Sequence, residues 1–261
     1  MKLYRITTLL KYYYHVSINS ADRIFDVFYW PILDLLIWGF MTYFITGISK
    51  VNLVSMILGG IVLWVFIWRT SQDFVVYLLE NWWSHNIYHL FATPLKKSEM
   101  VISLCILGVL RSLMAFIVLS VLSFLLYKFN IFTFNFLHLS FLIMILLIFA
   151  WGIGMFISSL VFWFGTRVQV LAWSTIWIIQ PFSCVFYPLS SLPPWAATIA
   201  NLFPTSHIFE ALRASLAGSP LDYGSLLYAL IFSLVLMVIT GSLLVKAMNS
   251  AKKQGTFAKP E

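Results

Sequence analysis

His85-Asn86-Ile87-Tyr88-His89 places two imidazoles at i and i+4, the spacing by which zinc proteases hold a metal on one helix face. The general-base Glu that should follow the first histidine is replaced by Asn86, so the hydrolytic logic is incomplete. Beside Trp82, Trp83 and Tyr88 the two histidines read instead as surface groups of an amphipathic helix at a membrane interface. With Glu80 they form the one polar cluster that a lipid-modifying membrane enzyme would use, and no third element completes it. The chain carries no G-x-x-x-x-G-K-[ST] loop for nucleotide. Gly152-Ile153-Gly154 lies in an apolar stretch without a strand before it, where glycines serve close helix packing. Neither catalytic, cofactor nor metal residues are expected on this chain.

Four charged residues lie inside apolar segments, where they are expensive and point to function. Arg69 and Asp73 are spaced to pair along one helix. Asp34 and Arg111 either line a polar path through the bundle or pair between helices; the sequence leaves both readings open.

The elements that must position these residues follow from composition. With 61% hydrophobic and 10% charged residues and a mean hydropathy of +0.94, the chain is far from a soluble domain and is an all-α integral membrane protein. A spanning helix needs about 20 residues. Six spans are expected, near residues 26–47, 52–72, 101–126, 139–164, 168–188 and 224–246. Pro181, Pro188, Pro193, Pro194 and Pro204 cut the uncharged stretch from Val168 to Phe209 and prevent a second uninterrupted helix there.

Six spans put both termini on one side. With that side cytoplasmic, Lys2, Arg5, Lys11, Arg23, Lys96, Lys97, Arg167, Lys246, Lys252, Lys253 and Lys259 lie inside. Only Lys50, Lys128 and Arg213 lie outside, leaving Arg69 and Arg111 in or beside spans. This asymmetry sets the orientation. It also accounts for the formal charge of +7 better than nucleic-acid binding would, since no basic patch is present. Residues 1–22 read as an amphipathic interfacial helix, the alternative being a disordered basic tail, and no cleavable signal peptide is apparent. Cys105 and Cys184 fall near opposite ends of their spans and imply no disulfide.

The segment 80–99 is a polar, aromatic island between two spans. Trp82, Trp83, Tyr88, Leu90 and Phe91 supply interface anchors, and Thr93-Pro94 ends the helix and turns the chain towards the third span. The alternative is an amphipathic helix resting on lipid. Between the fifth and sixth spans, 189–222 reads as a re-entrant hairpin. Its first helix runs from about Pro194 to Leu202. Its second is capped by Thr205 or Ser206, with Glu210 in its first turns, Arg213 towards its end and Gly218 to stop it. A plain extracellular loop is the alternative.

Leu90-Phe91-Ala92-Thr93-Pro94-Leu95, flanked by Glu80 and Glu99, resembles the cytoplasmic segment between the second and third spans of ABC-2 type transporter permeases. The resemblance continues in Gln180-Pro181-Phe182-Ser183, Phe186-Tyr187-Pro188-Leu189, Leu192-Pro193-Pro194-Trp195 and the run Phe203 to Arg213. Ser84-His85-Asn86 departs from it, where many permeases carry a charged run and a Gly-Thr pair. The resemblance implies one membrane domain over 1–261, in a bacterial inner membrane with both termini cytoplasmic. It implies that Glu80, Trp82, Trp83, Tyr88, Leu90, Phe91, Thr93, Pro94 and Glu99 couple to a separate ABC ATPase. That partner, present in two copies, would bind ATP and Mg. It further implies a second permease copy, identical or similar, and an outer gate containing Phe203, Pro204, His207, Glu210 and Arg213. The implied role is export of an amphipathic, lipid, drug or lipid-linked glycan substrate. A secondary transporter without an ATPase is the alternative, although no internal repeat is visible.

Overall fold

The computed structural model describes residues 2–48 and 53–254. Lys50 and Lys259, used above for orientation, lie outside them. Among the described residues the secondary structure is helical: α1 (Leu3–Asn19), α2 (Ala21–Ile48), α3 (Leu53–Trp83), α4 (Ile87–Ala92), α5 (Lys97–Tyr127), α6 (Phe136–Phe164), α7 (Leu171–Ile179), α8 (Pro194–Leu202), α9 (Pro204–Leu216) and α10 (Tyr223–Gln254). Five of these, α2, α3, α5, α6 and α10, are long and apolar enough to cross a membrane.

The central element is α3, the most buried of the five. It packs against α2, α5 and α6, and α10 lies along α6. Phe66 meets Phe116 near one level of the α3–α5 pair and Thr70 meets Gly108 at another, so these helices are antiparallel. By contrast α6 and α10 run parallel, since Gly152 faces Leu236 and Met237 while Gly241 faces Met155. Lipid-embedded helices gain little from hydrophobic attraction to one another, so close packing at small residues holds them. A Cβ on Gly154 would lie 2.9 Å from Cβ of Phe74, and one on Gly60 would strike the carbonyl oxygen of Val185.

The parallel course of α6 and α10 requires the chain to travel back between them. It does so along α3: Gln169 accepts a hydrogen bond from the Trp83 indole at 3.2 Å, and Val185 lies against Gly60. Those two points are roughly 35 Å apart along α3 at about 1.5 Å per residue. The return corresponds to the expected span at 168–188, but it is not one long helix. Gly165, at φ 73°, ends α6. The nine residues of α7 then stand between 3₁₀ turns at Gly165–Val168 and Gln180–Ser183. Pro181 has no N–H to continue the α-helical ladder, and Cys184 at φ 54° reverses the chain.

Other boundaries also move. α3 continues past residue 72 to Trp83, absorbing Glu80, Trp82 and Trp83, and α5 begins at Lys97. Leu3–Asn19 form a helix, α1, which buries Ile6, Leu9 and Tyr13; Leu9 and Tyr13 pack in a second apolar cluster with α3, α5 and α10. Lys2 N–H bonds Glu99 at 2.8 Å, and Lys97 bonds Asn249. The start of α1, the start of α5 and the end of α10 therefore share one end of the bundle, together with α4.

Replacement of Gly60 by Ala is expected to cost about 1–3 kcal/mol through overpacking. Gly59→Ala, whose Cβ would meet Leu212 and Phe129 at an ordinary 3.5 Å, should stay within about 0.5 kcal/mol. Equilibrium unfolding of the purified protein in detergent distinguishes the two.

Candidate functional site

Asp73 on α3 is fully buried and takes both Nε and Nη2 of Arg69, at 3.1 and 2.6 Å. The expected Arg69–Asp73 pair is therefore present. The same carboxylate pairs at 3.0 Å with Arg111 of α5, so Arg111 is committed to Asp73 and not to Asp34. Arg69 reaches on to Asp26 of α2, donating to its carboxylate at 2.7 Å and its carbonyl at 3.0 Å. Arg111 also donates to the Arg23 carbonyl at 3.0 Å. Arg23 pairs with Glu80, in the last turn of α3. Three guanidiniums thus balance three carboxylates, which is the condition for keeping charge in a low-dielectric bundle.

Tyr77 fills the centre of this network. Its hydroxyl accepts from Arg111 at 2.9 Å and shares a hydrogen bond with Ser17 of α1. The Arg23 guanidinium lies 4.6 Å from its ring centroid, within cation–π range. Tyr13 meets the ring edge at 5.0 Å. Asp34, half-buried on α2, makes no hydrogen bond or ion pair among the described residues.

One face of the network opens into a cleft of about 530 Å³ between α2, α3 and α7. Its walls are Arg23, Asp26, Arg69, Gln72, Val76 and the indoles of Trp30, Trp68, Trp173 and Trp177. The Trp68 indole N–H is buried without a hydrogen-bond partner. Arg23 and Asp26 carry this site although sequence reading assigned Arg23 only to topology and passed over Asp26. Charge balance was the available signal, because Arg69 and Arg111 together need more than Asp73.

At the α4 end, the nine expected coupling residues divide into two groups. Trp83 and Tyr88 are 46% and 38% exposed, and Thr93 and Pro94 are exposed as well. Trp82, Leu90 and Phe91 turn inward and pack on the second apolar cluster, with the ring centroids of Trp82 and Phe91 6.0 and 6.3 Å from that of Phe162. Glu80 holds Arg23. Glu99 is buried and accepts from the backbone N–H groups of Lys2 and Lys96 and from Arg5 at 3.5 Å, while Arg5 also reaches the Pro94 carbonyl. Glu99 therefore locks α1 to α5 and presents no surface to a partner.

His85, at φ 55°, sits in the turn before α4, so it does not share a helix with His89. That breaks the i,i+4 metal geometry, and the described residues contain no group of three metal-ligating side chains. The helix α4 itself ends at Thr93, extended at φ −75° and ψ 158° as the residue before Pro94 must be.

At the opposite end, α8 and α9 form the expected pair of short helices. The cap differs: Phe203 occupies the N-cap without a side-chain bond and Pro204 supplies the first turn. Thr205 donates instead to Ser183, and Ser206 to the Ala200 and Phe203 carbonyls. Glu210 lies mid-helix, not in the first turns. It accepts from Arg213 at 3.0 Å and from the Leu189 N–H at 2.6 Å, while Arg213 donates to the Cys184 carbonyl at 2.8 Å. Gly218, at φ 69°, ends α9 as expected. His207 contacts the Asn201 carbonyl at 2.9 Å and the Tyr228 ring edge, and Phe203 stacks on Phe182. Asp222 then caps α10; the Ser225 hydroxyl and backbone N–H, with that of Gly224, hold its carboxyl below the usual range.

Asp73→Ala is expected to destabilise the protein by about 3–5 kcal/mol, because it strands two buried guanidiniums. Asp26→Ala, at a carboxylate 39% exposed, should cost about 1 kcal/mol or less. Thermal unfolding of both variants checks the order.

Comparison with protein families matches residues 11–217 to the ABC-2 type transporter family. Comparison with curated proteins finds no match.

Proposed function

The chain belongs to the ABC-2 type transporter family and is a membrane permease component; from that premise we propose that it is the permease subunit of an ATP-driven exporter, worked through α4 by a separate ATPase. The observation that carries this reading is continuity. Glu80 stands one turn before the end of α3, ahead of α4, and its partner Arg23 both lines the cleft and joins the network around Asp73. A force on α4 is passed to α3 and α1 and reaches the cleft walls as a rigid displacement.

In this reading the α4 end is cytoplasmic, in the plasma membrane of a bacterium, with both termini on that side. The return along α3 counts as a sixth crossing. Two ATPase subunits bind ATP and Mg and supply the chemistry; two permease copies, identical or similar, form the path. Trp83, Tyr88, Thr93 and Pro94 face the ATPase, while Trp82, Leu90 and Phe91 anchor α4 to the bundle so that its movement is not lost. The aromatic cleft takes an amphipathic cargo, a lipid, drug or lipid-linked glycan. The α8–α9 hairpin gates the far end through Phe203, Pro204, His207 and the Glu210–Arg213 latch.

Purification of the tagged chain from its native membrane is expected to recover a nucleotide-binding subunit with vanadate-sensitive ATPase activity. Replacing Trp83 and Tyr88 by Ala should reduce that recovery at least tenfold, since aromatic anchors buried at an interface are worth about 2 kcal/mol or more each, while lowering the stability of the permease by only about 1 kcal/mol through loss of the exposed Trp83–Gln169 hydrogen bond. Recovery of the chain without any ATPase would overturn the proposal.

A further inference from the structure

An apolar groove of about 560 Å³ runs between α5 and α10 over the face of α6, well away from the cleft. Val101, Cys105 and Val109 line it from α5, and Val238 and Gly241 from α10. Ile106, Leu110 and Val238 are exposed along it, so it opens to the lipid-facing surface.

Helical periodicity carries each wall to the same terminus. Lys97, Val101, Cys105 and Val109 are four apart and share one stripe of α5. Val238, Gly241, Val245, Asn249 and Lys252 share one stripe of α10. Where the stripes converge, at the α4 end, the Lys97 ammonium bonds the Asn249 side chain. Lys252 stands one turn beyond Asn249 on the same stripe and so beside that contact. The ion pairs among the described residues give neither lysine a carboxylate. Two like charges thus stand at the polar mouth of a slot whose walls are hydrocarbon.

We propose that this groove is a binding site for one anionic phospholipid, with an acyl chain between α5 and α10 and the phosphate held by Lys97 and Lys252. The depth order matches such a molecule: cations lie at the helix ends, and apolar side chains begin one turn further in on α5, at Val101, and two turns further in on α10, at Val245. Gly241 leaves the slot open, since a Cβ there would just touch the sulfur of Met155 at 3.5 Å. A basic residue at the membrane surface strengthens binding of an anionic lipid by about fivefold. The pair should therefore favour phosphatidylglycerol over phosphatidylcholine by roughly tenfold or more.

The test is native mass spectrometry of the purified full chain in mixed micelles holding equal amounts of phosphatidylglycerol and phosphatidylcholine. The wild type is expected to retain one phosphatidylglycerol per chain in preference to phosphatidylcholine. The double variant Lys97→Gln/Lys252→Gln should lose that preference yet still retain lipid, and Gly241→Phe should retain neither. Lys128→Gln, at the opposite end, should behave as wild type. Both lysines are at the surface, so the double variant remains informative if Gly241→Phe does not fold. Equal retention of the two lipids by wild type overturns the proposal, as does an undiminished preference in the double variant. Lipid-free dimers that Gly241→Phe dissociates would show a second copy of the chain in the groove and overturn it as well.

Discussion

The carboxylate of Asp73 is the constraint around which this bundle is arranged. Fully buried, its charge is compensated by Arg69 and Arg111 together. Those residues come from α3 and α5, and Arg69 also reaches Asp26 of α2. One charge therefore fixes the relative positions of three helices, in a setting where hydrophobic attraction between helices supplies little. Tyr77 extends the constraint to α1 through Ser17 and Tyr13. Glycine contacts at Gly108 and Gly154 set how closely α5 and α6 approach α3, so charge chooses the register and small residues allow the distance.

The two ends of the bundle use different means. At the α4 end, Glu99 gathers the starts of α1 and α5 on one carboxylate, and Tyr12 and Asn86 both bond Asn81. This end is tied together by bonds between separate elements. At the far end, Glu210 and Arg213 tie α9 to the backbone at Leu189 and Cys184. Half of that latch is open to solvent, since Glu210 is 37% exposed while Arg213 is buried. A partly hydrated pair breaks at lower cost than a dry one, which suits the gate proposed at that end and the rigid lever proposed at the other.

Local features were legible in the sequence and long-range ones were not. The Arg69–Asp73 pair, the Thr93-Pro94 stop, the bounds of α8 and the Gly218 terminus each depend on residues within one or two turns, and all are present. The partner of Arg111 depends on which helices touch, which periodicity does not contain, so Asp34 and Asp73 could not be separated. Glu80 and Glu99 looked like surface groups because they border a polar island; their burdens are Arg23 and the N–H groups of Lys2 and Lys96. The fifth span was read as a helix because hydropathy counts apolar residues and ignores whether Gly165 and Pro181 let the ladder continue. The His85–His89 spacing failed for a similar reason: a left-handed residue between α3 and α4 cancels any helical face.

On the proposed function, charge balance also bears on which cargo the cleft can recognise. Arg23, Asp26 and Arg69 line it, yet each is already engaged within the bundle, by Glu80, Arg69 and Asp73 in turn. A cargo bearing a strong charge would have to compete with these pairs, and separating a buried pair leaves an uncompensated ion. The surface left to recognise cargo is the set of four indoles, with the free N–H of Trp68 and the amide of Gln72. Aromatic faces bind by area and by ring geometry, and tolerate variation in the molecule they hold. Selection at such a site rests on the shape and apolar body of an amphiphile more than on its charge. The ion network is then free to serve as the rigid connection between the cleft and α4.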